Sequence, residues 1–272
     1  MPPQINEIRK ALSALNEFRR YAISPFHERF IFPFLCGSYF TYRKIDVHRI
    51  VSIAKTISEN PTYLDVGCGY GDFLEKIREY IPEAEGIEKS VDIFYSLGRI
   101  KPNYIKIADA YNGIDKNYDV IFVGWMEPGV DYRNKISEAT KCIITTFDKG
   151  GQCGMNGGCE FDGHGFEKIA SWVTPSWEDI NIEITNRYYS KLSNELMQTL
   201  VDLRGAHNLW YICCKPELKK RVRNALRWCL AEELKKEYSP YGFEFVLDNS
   251  GYKYFEMLKN PYTKHKLWEP IF

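Results

Sequence analysis

The chain has 272 residues, which suffice for one substantial buried core, and we expect one main domain. Hydrophobic residues make up 44% and charged residues 26% of it, and no stretch approaches the ~20 apolar residues that span a bilayer, so no membrane segment is expected. The 36 basic residues balance the 36 acidic ones, which leaves no overall charge to attract nucleic acid or an acidic membrane surface.

The N-terminal residues do not have the pattern of a secretory signal. They begin Met1-Pro2-Pro3 and continue into a charged amphipathic segment, instead of a positive start followed by an apolar run. We therefore expect a soluble, cytoplasmic protein. In that compartment the eight cysteines are expected to be free thiols, several of them buried, rather than a disulfide framework.

Two helices and an aromatic segment are predicted at the start of the chain. Apolar residues recur at three- and four-residue steps over residues 5–22, which predicts an amphipathic helix. Residues 25–42 are aromatic and irregular, and they indicate either packing against the core or a lid or substrate wall. A second helix with one apolar face is predicted over residues 46–58.

From Thr62 onward, short apolar strands alternate with helices, which is typical of a mostly parallel sheet with helices on both faces. After Lys215 an amphipathic helix is predicted to about Glu237, and the tail has one candidate strand, at 243–247. The alternation predicts a seven-stranded sheet with strands near 62–66, 84–88, 104–107, 119–124, 142–147, 181–188 and 208–214.

The first strand runs into a glycine-rich turn, after which a helix begins at once. Gly67, Gly69 and Gly71 occupy alternate positions behind Asp65. A turn this tight needs unusual dihedral angles, and a side chain there would keep a ligand away from the backbone, so we interpret it as a cofactor turn. Its G-x-G-x-G spacing differs from the G-x-G-x-x-G of a dinucleotide fingerprint, and an anion would be repelled by Asp65.

Acidic residues also end the next two strands. Glu88 follows Gly67 by 21 residues, and its two carboxylate oxygens can accept hydrogen bonds from both hydroxyls of a ribose. Asp109 ends the third strand, where the alternative is a solvated acid that begins a loop. The fourth strand runs into Gly124-Trp125, at the sheet edge where open α/β sheets bind ligands.

Over residues 60–215 these motifs resemble those of the class I methyltransferases that depend on S-adenosylmethionine (SAM). The resemblance implies a Rossmann-like fold in which Asp65 and the turn hold the amino-acid end of SAM and Asp109 meets the adenine amine. It implies a SAM site made of Asp65, Gly67, Cys68, Gly69, Gly71, Glu88, Lys89, Asp109, Ala110, Gly124 and Trp125. The sequence lacks the Asn/Asp-Pro-Pro-Tyr motif of amino-group enzymes and the Pro-Cys motif of cytosine C5 enzymes.

Methyl transfer needs a general base only when the acceptor must lose a proton. The candidate bases are Glu127, Asp131 and His164. The alternative for the two acids is that each caps the next helix, and for His164 that it is only a turn residue. Residues 150–159 are rich in glycine and are a candidate flap over the substrate.

Two further patterns could indicate sites. Cys153, Cys159 and His164 are spaced C-x5-C-x4-H, but a zinc site is rejected because the short paired cysteine spacing and a fourth ligand are missing. Several aromatic residues, including Trp172 and Trp210, could line a pocket for a flat substrate, although packing in the core is the favoured interpretation.

The sequence thus predicts a SAM-dependent methyltransferase with a cap (1–42), a cofactor-binding domain (43–215) and a C-terminal helical extension (216–272). A small-molecule acceptor is favoured over nucleic acid because the charge is balanced and no nucleic-acid-binding module is apparent. The alternatives are a SAM-binding protein without catalytic activity and, less favoured by the turn spacing, an NAD-dependent oxidoreductase. The oligomeric state is not predicted.

Overall fold

The computed structural model describes residues 42–96, 99–126, 129–148, 160–174, 208–233 and 269–272. One compact unit is formed by Lys44–Val173, Asn208–Tyr238 and Trp268–Phe272, and nearly all of the described residues belong to it. A second unit is formed by Met1–Arg43, Thr174–His207 and Ser239–Leu267. The helix predicted at 5–22, most of the aromatic segment, and the strands predicted at 181–188 and 243–247 lie outside the described residues.

Helices and strands alternate along the first unit, as the apolar runs predict. The described helices are α1 (Lys44–Ile57), α2 (Asp72–Arg78), α3 (Asp92–Ser96), α4 (Arg133–Ala139) and α5 (Lys219–Glu233). The described strands are β1 (Tyr63–Val66), β2 (Glu85–Glu88), β3 (Ile105–Ile107), β4 (Val120–Gly124), β5 (Cys142–Asp148), β6 (Glu167–Thr174) and β7 (Asn208–Cys214).

These strands form a single seven-stranded sheet in the order β3-β2-β1-β4-β5-β7-β6. Strands β1 to β5 pair in parallel, whereas β7 lies antiparallel to β5. The predicted seven-stranded, mostly parallel sheet is confirmed. The order departs from that of a dinucleotide-binding fold, 3-2-1-4-5-6, because an antiparallel β7 is inserted between β5 and β6.

Strand β6 was missed by the sequence analysis. It begins with the charged pair Glu167-Lys168 and carries Ser171 near its middle, so its apolar content is too low to predict a strand. Its Ile169, Ala170 and Trp172 are nevertheless buried. The backbone of Ser171 also pairs with Ile271 near the C-terminus through N···O distances of 2.8 and 2.7 Å.

Aromatic rings fill the core on one face of the sheet. The rings of Trp172 and Trp210 stack with centroids 5.5 Å apart, and Trp210 also stacks on Phe122 at 5.6 Å. Phe73 of α2 lies 5.3 Å from Phe122. All four side chains are buried, so the two tryptophans serve as core residues, the favoured of the two interpretations from sequence.

Helices α1 and α5 pack on each other around buried charges. The Arg49 guanidinium donates from Nε and Nη2 to the two carboxylate oxygens of Glu233, each at 2.8 Å. Asp46 accepts a hydrogen bond from the Trp172 indole at 3.1 Å. The helix after Lys215 is therefore part of the same compact unit as the sheet.

Within the residues that the structure describes, no helix is both long enough and apolar enough to cross a membrane.

Candidate functional site

A glycine turn connects β1 to α2 at the carboxyl edge of the sheet. The φ angles of Gly67, Gly69 and Gly71 are 71°, 58° and 86°, in the left-handed region that favours glycine. A Cβ added to Gly71 would lie 2.5 Å from Cδ1 of Ile105, so this position cannot hold a side chain unless its neighbour moves. The geometry explains why the motif needs its glycines.

Four N–H groups of this turn are already bonded within the protein. Gly67 and Cys68 both donate to the Ile87 carbonyl, at 2.9 and 3.2 Å, and Gly71 donates to the Cys68 carbonyl at 3.0 Å. Gly69 donates to Oε2 of Glu88 at 2.9 Å. Because these four donors are occupied, they do not form the cradle that a pyrophosphate needs.

Asp65 lies beneath the turn with 2% of its surface exposed. Its Oδ1 has no hydrogen-bond partner among the residues of the described part. Burial raises the pKa of this carboxyl well above its usual range, and the nearby carboxylates of Asp72 and Glu88 raise it further. A buried oxygen without a partner beside two other acids is suited to receive a cation.

Glu88 ties the end of β2 to the turn. Its Oε2 accepts the hydrogen bond from Gly69, and its Oε1 accepts one from the backbone N–H of Lys89 at 2.9 Å. Burial raises its pKa, while the backbone hydrogen bonds act in the opposite direction. Each carboxylate oxygen can accept more than one hydrogen bond, so both remain able to accept from ribose hydroxyls.

The end of β3 lies beside the end of β2. The Ala108 N–H donates to the Glu88 carbonyl at 3.0 Å, which places Asp109 next to the Glu88 segment. Asp109 Oδ1 accepts from the Tyr111 N–H at 3.0 Å and caps a short 3₁₀ turn that begins at the buried Ala110. The second carboxylate oxygen of Asp109 is not used by that cap.

The tip of β4 is strained and lies next to the turn. Trp125 has φ of 49°, an uncommon value for a residue other than glycine, and its N–H donates to the Thr146 carbonyl at 2.8 Å. The carbonyl oxygen of Gly124 is 3.6 Å from a Cβ built on Gly67. The structure therefore brings the turn and the ends of β2, β3 and β4 together at one edge of the sheet.

The candidate bases have different surroundings. Glu127 lies outside the described residues. Asp131 accepts hydrogen bonds from the backbone N–H and the guanidinium of Arg133, which lower its pKa to about 2, and His164 also lowers it. A carboxylate with so low a pKa is a weak base. His164 lies close enough to Asp131 to interact with it electrostatically.

The described cysteines are all free and buried, as the sequence predicts. They are Cys68, Cys142, Cys213, Cys214 and Cys229. The side chain of Cys68 packs against Gly86, since a Cβ there would lie 2.8 Å from its sulfur. Cys153 and Cys159 lie outside the described residues, and within the described part no cluster of His, Cys, Asp or Glu could hold a metal ion.

Sequence reasoning did not single out Thr146. This residue is fully buried near the end of β5, and its Oγ1 has no hydrogen-bond partner in the described part of the chain. The signal was present as two consecutive threonines, Thr145-Thr146, near the end of an otherwise apolar strand.

No family model matches this chain, and no curated protein matches it significantly. Among solved structures, it is similar to the magnesium protoporphyrin IX methyltransferase of Synechocystis, with 12% identity, a TM-score of 0.41, and coverage of 63% of this chain and 79% of that one. The plantazolicin methyltransferase BpumL has 15% identity and a TM-score of 0.40, with 77% and 96% covered. A SAM-dependent methyltransferase of Clostridium acetobutylicum has 11% identity and a TM-score of 0.38, with 62% and 91% covered. At these values the likeness carries no inference about function.

Proposed function

We propose that this protein is a SAM-dependent methyltransferase. The observation that carries the proposal is the contrast within one turn. Four of its N–H groups are bonded to the protein itself, while Asp65 beneath it keeps a buried oxygen without a partner in the described residues. Such a site repels a pyrophosphate and stabilises an ammonium group, and SAM carries an ammonium at its amino-acid end.

The remaining contacts follow from the strand ends. Glu88 would accept hydrogen bonds from the ribose hydroxyls, since Gly69 and Lys89 already hold its carboxylate in place. Asp109 would meet the adenine amine through the oxygen that the Tyr111 cap does not use, with Ala110 beside the ring. The backbone at Gly67, Cys68, Gly71 and Gly124, together with Lys89 and Trp125, would complete the cofactor site.

SAM supplies a methyl group on a positively charged sulfur. The acceptor's nucleophilic atom would form a bond to that carbon while the bond to sulfur breaks, and the electron pair of that bond would stay on sulfur in S-adenosylhomocysteine. The protein's main task is then to align the acceptor with the sulfur–carbon bond. Where the acceptor must lose a proton, His164 is a better candidate than Asp131, because Arg133 stabilises the Asp131 carboxylate.

We also propose a small molecule as the acceptor, a cytoplasmic location, and the division into 1–42, 43–215 and 216–272. The balanced charge of the chain supports a small molecule over nucleic acid. The packing of α5 on α1 supports a C-terminal segment that is attached firmly to the cofactor-binding domain.

Calorimetry of the full chain with SAM and, separately, with NADH tests the proposal. We expect SAM to bind and NADH not to bind. Glu88→Gln should weaken SAM binding about 10- to 100-fold, because an amide has one acceptor oxygen where the carboxylate has two and would face a backbone N–H with its own donor. Glu83→Gln, an exposed acid in the loop before β2, is the matched control and should bind SAM normally.

Tighter binding of NADH than of SAM would overturn the cofactor assignment. If SAM binds but S-adenosylhomocysteine never forms with small metabolites, RNA or protein as acceptors, the protein is a SAM-binding protein without catalytic activity.

A further inference from the structure

Three strands meet at one corner of the sheet, beside the cofactor turn. Thr146 of β5 pairs in register with Gly124 of β4 on one side and with Trp210 of β7 on the other. Because the Gly124 carbonyl lies close to Gly67, this corner is next to the first residue of the turn. Asn208, the first residue of β7, is also buried at this edge. A substrate that approaches the methyl group from the β5 side would meet this corner.

Two neighbouring threonines of β5 differ sharply in their hydrogen bonding. The Thr145 hydroxyl donates to the Val123 carbonyl at 2.9 Å. The Thr146 hydroxyl is equally buried, yet it has no partner among the described residues. A buried hydroxyl without a hydrogen bond is destabilising, so its presence here needs an explanation that the packing of the strand does not provide.

The backbone of Thr146 has a second role. Its carbonyl accepts the N–H of Trp125, which is the one residue other than glycine with a positive φ in the described ranges. Strained residues of this kind persist where the surrounding structure holds them, and they are concentrated at active sites. Thr146, which carries the unpartnered hydroxyl, is therefore hydrogen-bonded through its backbone carbonyl to the strained tip of β4.

The three strands carry no basic residue. None occurs in residues 120–126, 142–147 or 208–214. These strands therefore offer no cation to a phosphate group, whereas a hydroxyl can either donate a hydrogen bond to a neutral polar group or accept one from it. The chemistry of the corner suits an acceptor without negative charge.

Building on the proposed methyltransferase function, we propose that Thr146 binds the methyl acceptor through its hydroxyl and that the acceptor is a small molecule without negative charge, with a polar group beside its nucleophilic atom. Because the hydroxyl is buried, the acceptor can contact it only if neighbouring side chains move aside. Thr146 is thus a binding residue that selects the acceptor and leaves the binding of SAM unaffected.

Three variants of the full chain test this inference. Thr146→Val removes the hydroxyl and keeps the shape, Thr146→Ser keeps the hydroxyl, and Thr145→Val is the matched control. In the absence of any ligand, Thr146→Val should raise Tm by a few degrees, because it removes a buried hydroxyl that lacks a partner. Thr145→Val should lower Tm, because it removes a hydrogen bond and leaves the Val123 carbonyl with one partner fewer.

Transfer of a tritiated methyl group from SAM is then measured with two probes, namely the small-metabolite fraction of a cell extract freed of protein and RNA, and purified total RNA. Label should enter the metabolite fraction. Thr146→Val should reduce the kcat/KM for this transfer about tenfold by raising KM, with the Kd for SAM unchanged, and Thr146→Ser should restore it.

The inference is overturned if the Tm of Thr146→Val falls as that of Thr145→Val does, if Thr146→Val lowers kcat alone, or if the label enters RNA. Failure of wild-type protein to bind SAM is a separate result, which would refute the proposed cofactor and not the role of Thr146.

Discussion

Replacing Asp65 with asparagine should stabilise the fold without cofactor and strongly weaken cofactor binding. The side chain is buried, and its Oδ1 lacks a partner within the described residues. Asparagine has nearly the same shape but carries no charge, so it avoids the repulsion by Asp72 and Glu88 that the carboxylate experiences. We expect a higher Tm for Asp65→Asn than for the wild-type protein.

The loss of affinity can be estimated from the charge pair that the substitution removes. Breaking a buried ion pair by removing one partner costs about 3–5 kcal/mol. Taking about 3 kcal/mol, and tenfold in Kd for each ~1.4 kcal/mol, gives a SAM affinity weaker by roughly 150-fold. The substitution should not strengthen NADH binding by a similar factor, because four N–H groups of the turn remain bonded to Ile87, Cys68 and Glu88.

The pH dependence of the same group gives a second measure of this effect. The folded-state pKa of Asp65 is raised, so the ligand-free fold binds more protons than the unfolded chain between the two pKa values, and its stability falls as the pH rises through that window. A bound ammonium favours the carboxylate. The affinity for SAM should therefore rise with pH up to the folded pKa and level off above it, and this dependence should disappear in Asp65→Asn.

Calorimetric titrations with SAM across mildly acidic to mildly alkaline pH, together with thermal unfolding, test these expectations. Asp115→Asn is the matched control, because this acid is exposed and its contacts, with Lys106 and the Tyr118 hydroxyl, lie away from the turn. If Asp65→Asn binds SAM as the wild type does, or unfolds at a lower temperature without ligand, then Asp65 does not receive the ammonium and the cofactor assignment loses its physical basis.

Three further changes test other parts of the structure. Gly71→Ala should abolish SAM binding and lower Tm, because its methyl group would lie 2.5 Å from Ile105 at a φ of 86°, and normal binding would contradict the turn geometry. Glu233→Gln should destabilise the fold by about 3 kcal/mol in chemical denaturation, because it leaves Arg49 buried without its ion pair, and a loss below about 1 kcal/mol would mean that α5 is not part of the core. Asp131→Asn should retain most of the methyl transfer to any acceptor, because a carboxylate with a pKa of about 2 is a poor base, and a loss of more than about 100-fold in kcat would restore it as a catalytic candidate.

The central βαβ units could be predicted from the sequence because their signals are local. β1 and β4 are short, mostly apolar runs, and the glycines that follow β1 mark both its end and the start of α2. The register that brings Asp65 next to Gly86 follows from these elements once β1 and β2 are known to be parallel. Local patterns therefore sufficed for the part of the sheet that carries the proposed cofactor site.

The other half of the sheet depends on pairings between distant parts of the chain. β7 was predicted as a strand at its observed position, but its antiparallel pairing with β5 could not be read from periodicity, because periodicity specifies neither the partner nor the direction of a strand. Likewise, nothing in the sequence distinguishes the Thr145 hydroxyl from that of Thr146. Only the packed structure shows that one is bonded to Val123 and the other is not.

The choice between SAM and a dinucleotide as the proposed cofactor depends on the residues at the turn between β1 and α2. In a dinucleotide-binding fold, the start of the helix after β1 faces a pyrophosphate and its N–H groups hold the phosphate oxygens. Here the first residue of that helix is Asp72, a buried acid, and the Gly69 N–H is held by the Glu88 carboxylate. A pyrophosphate would have to displace the Glu88 carboxylate from the Gly69 N–H and lie close to the carboxylates of Asp65 and Asp72. A ligand with a cation at this end and a ribose at the next strand meets no such conflict, because the same three acids then attract it.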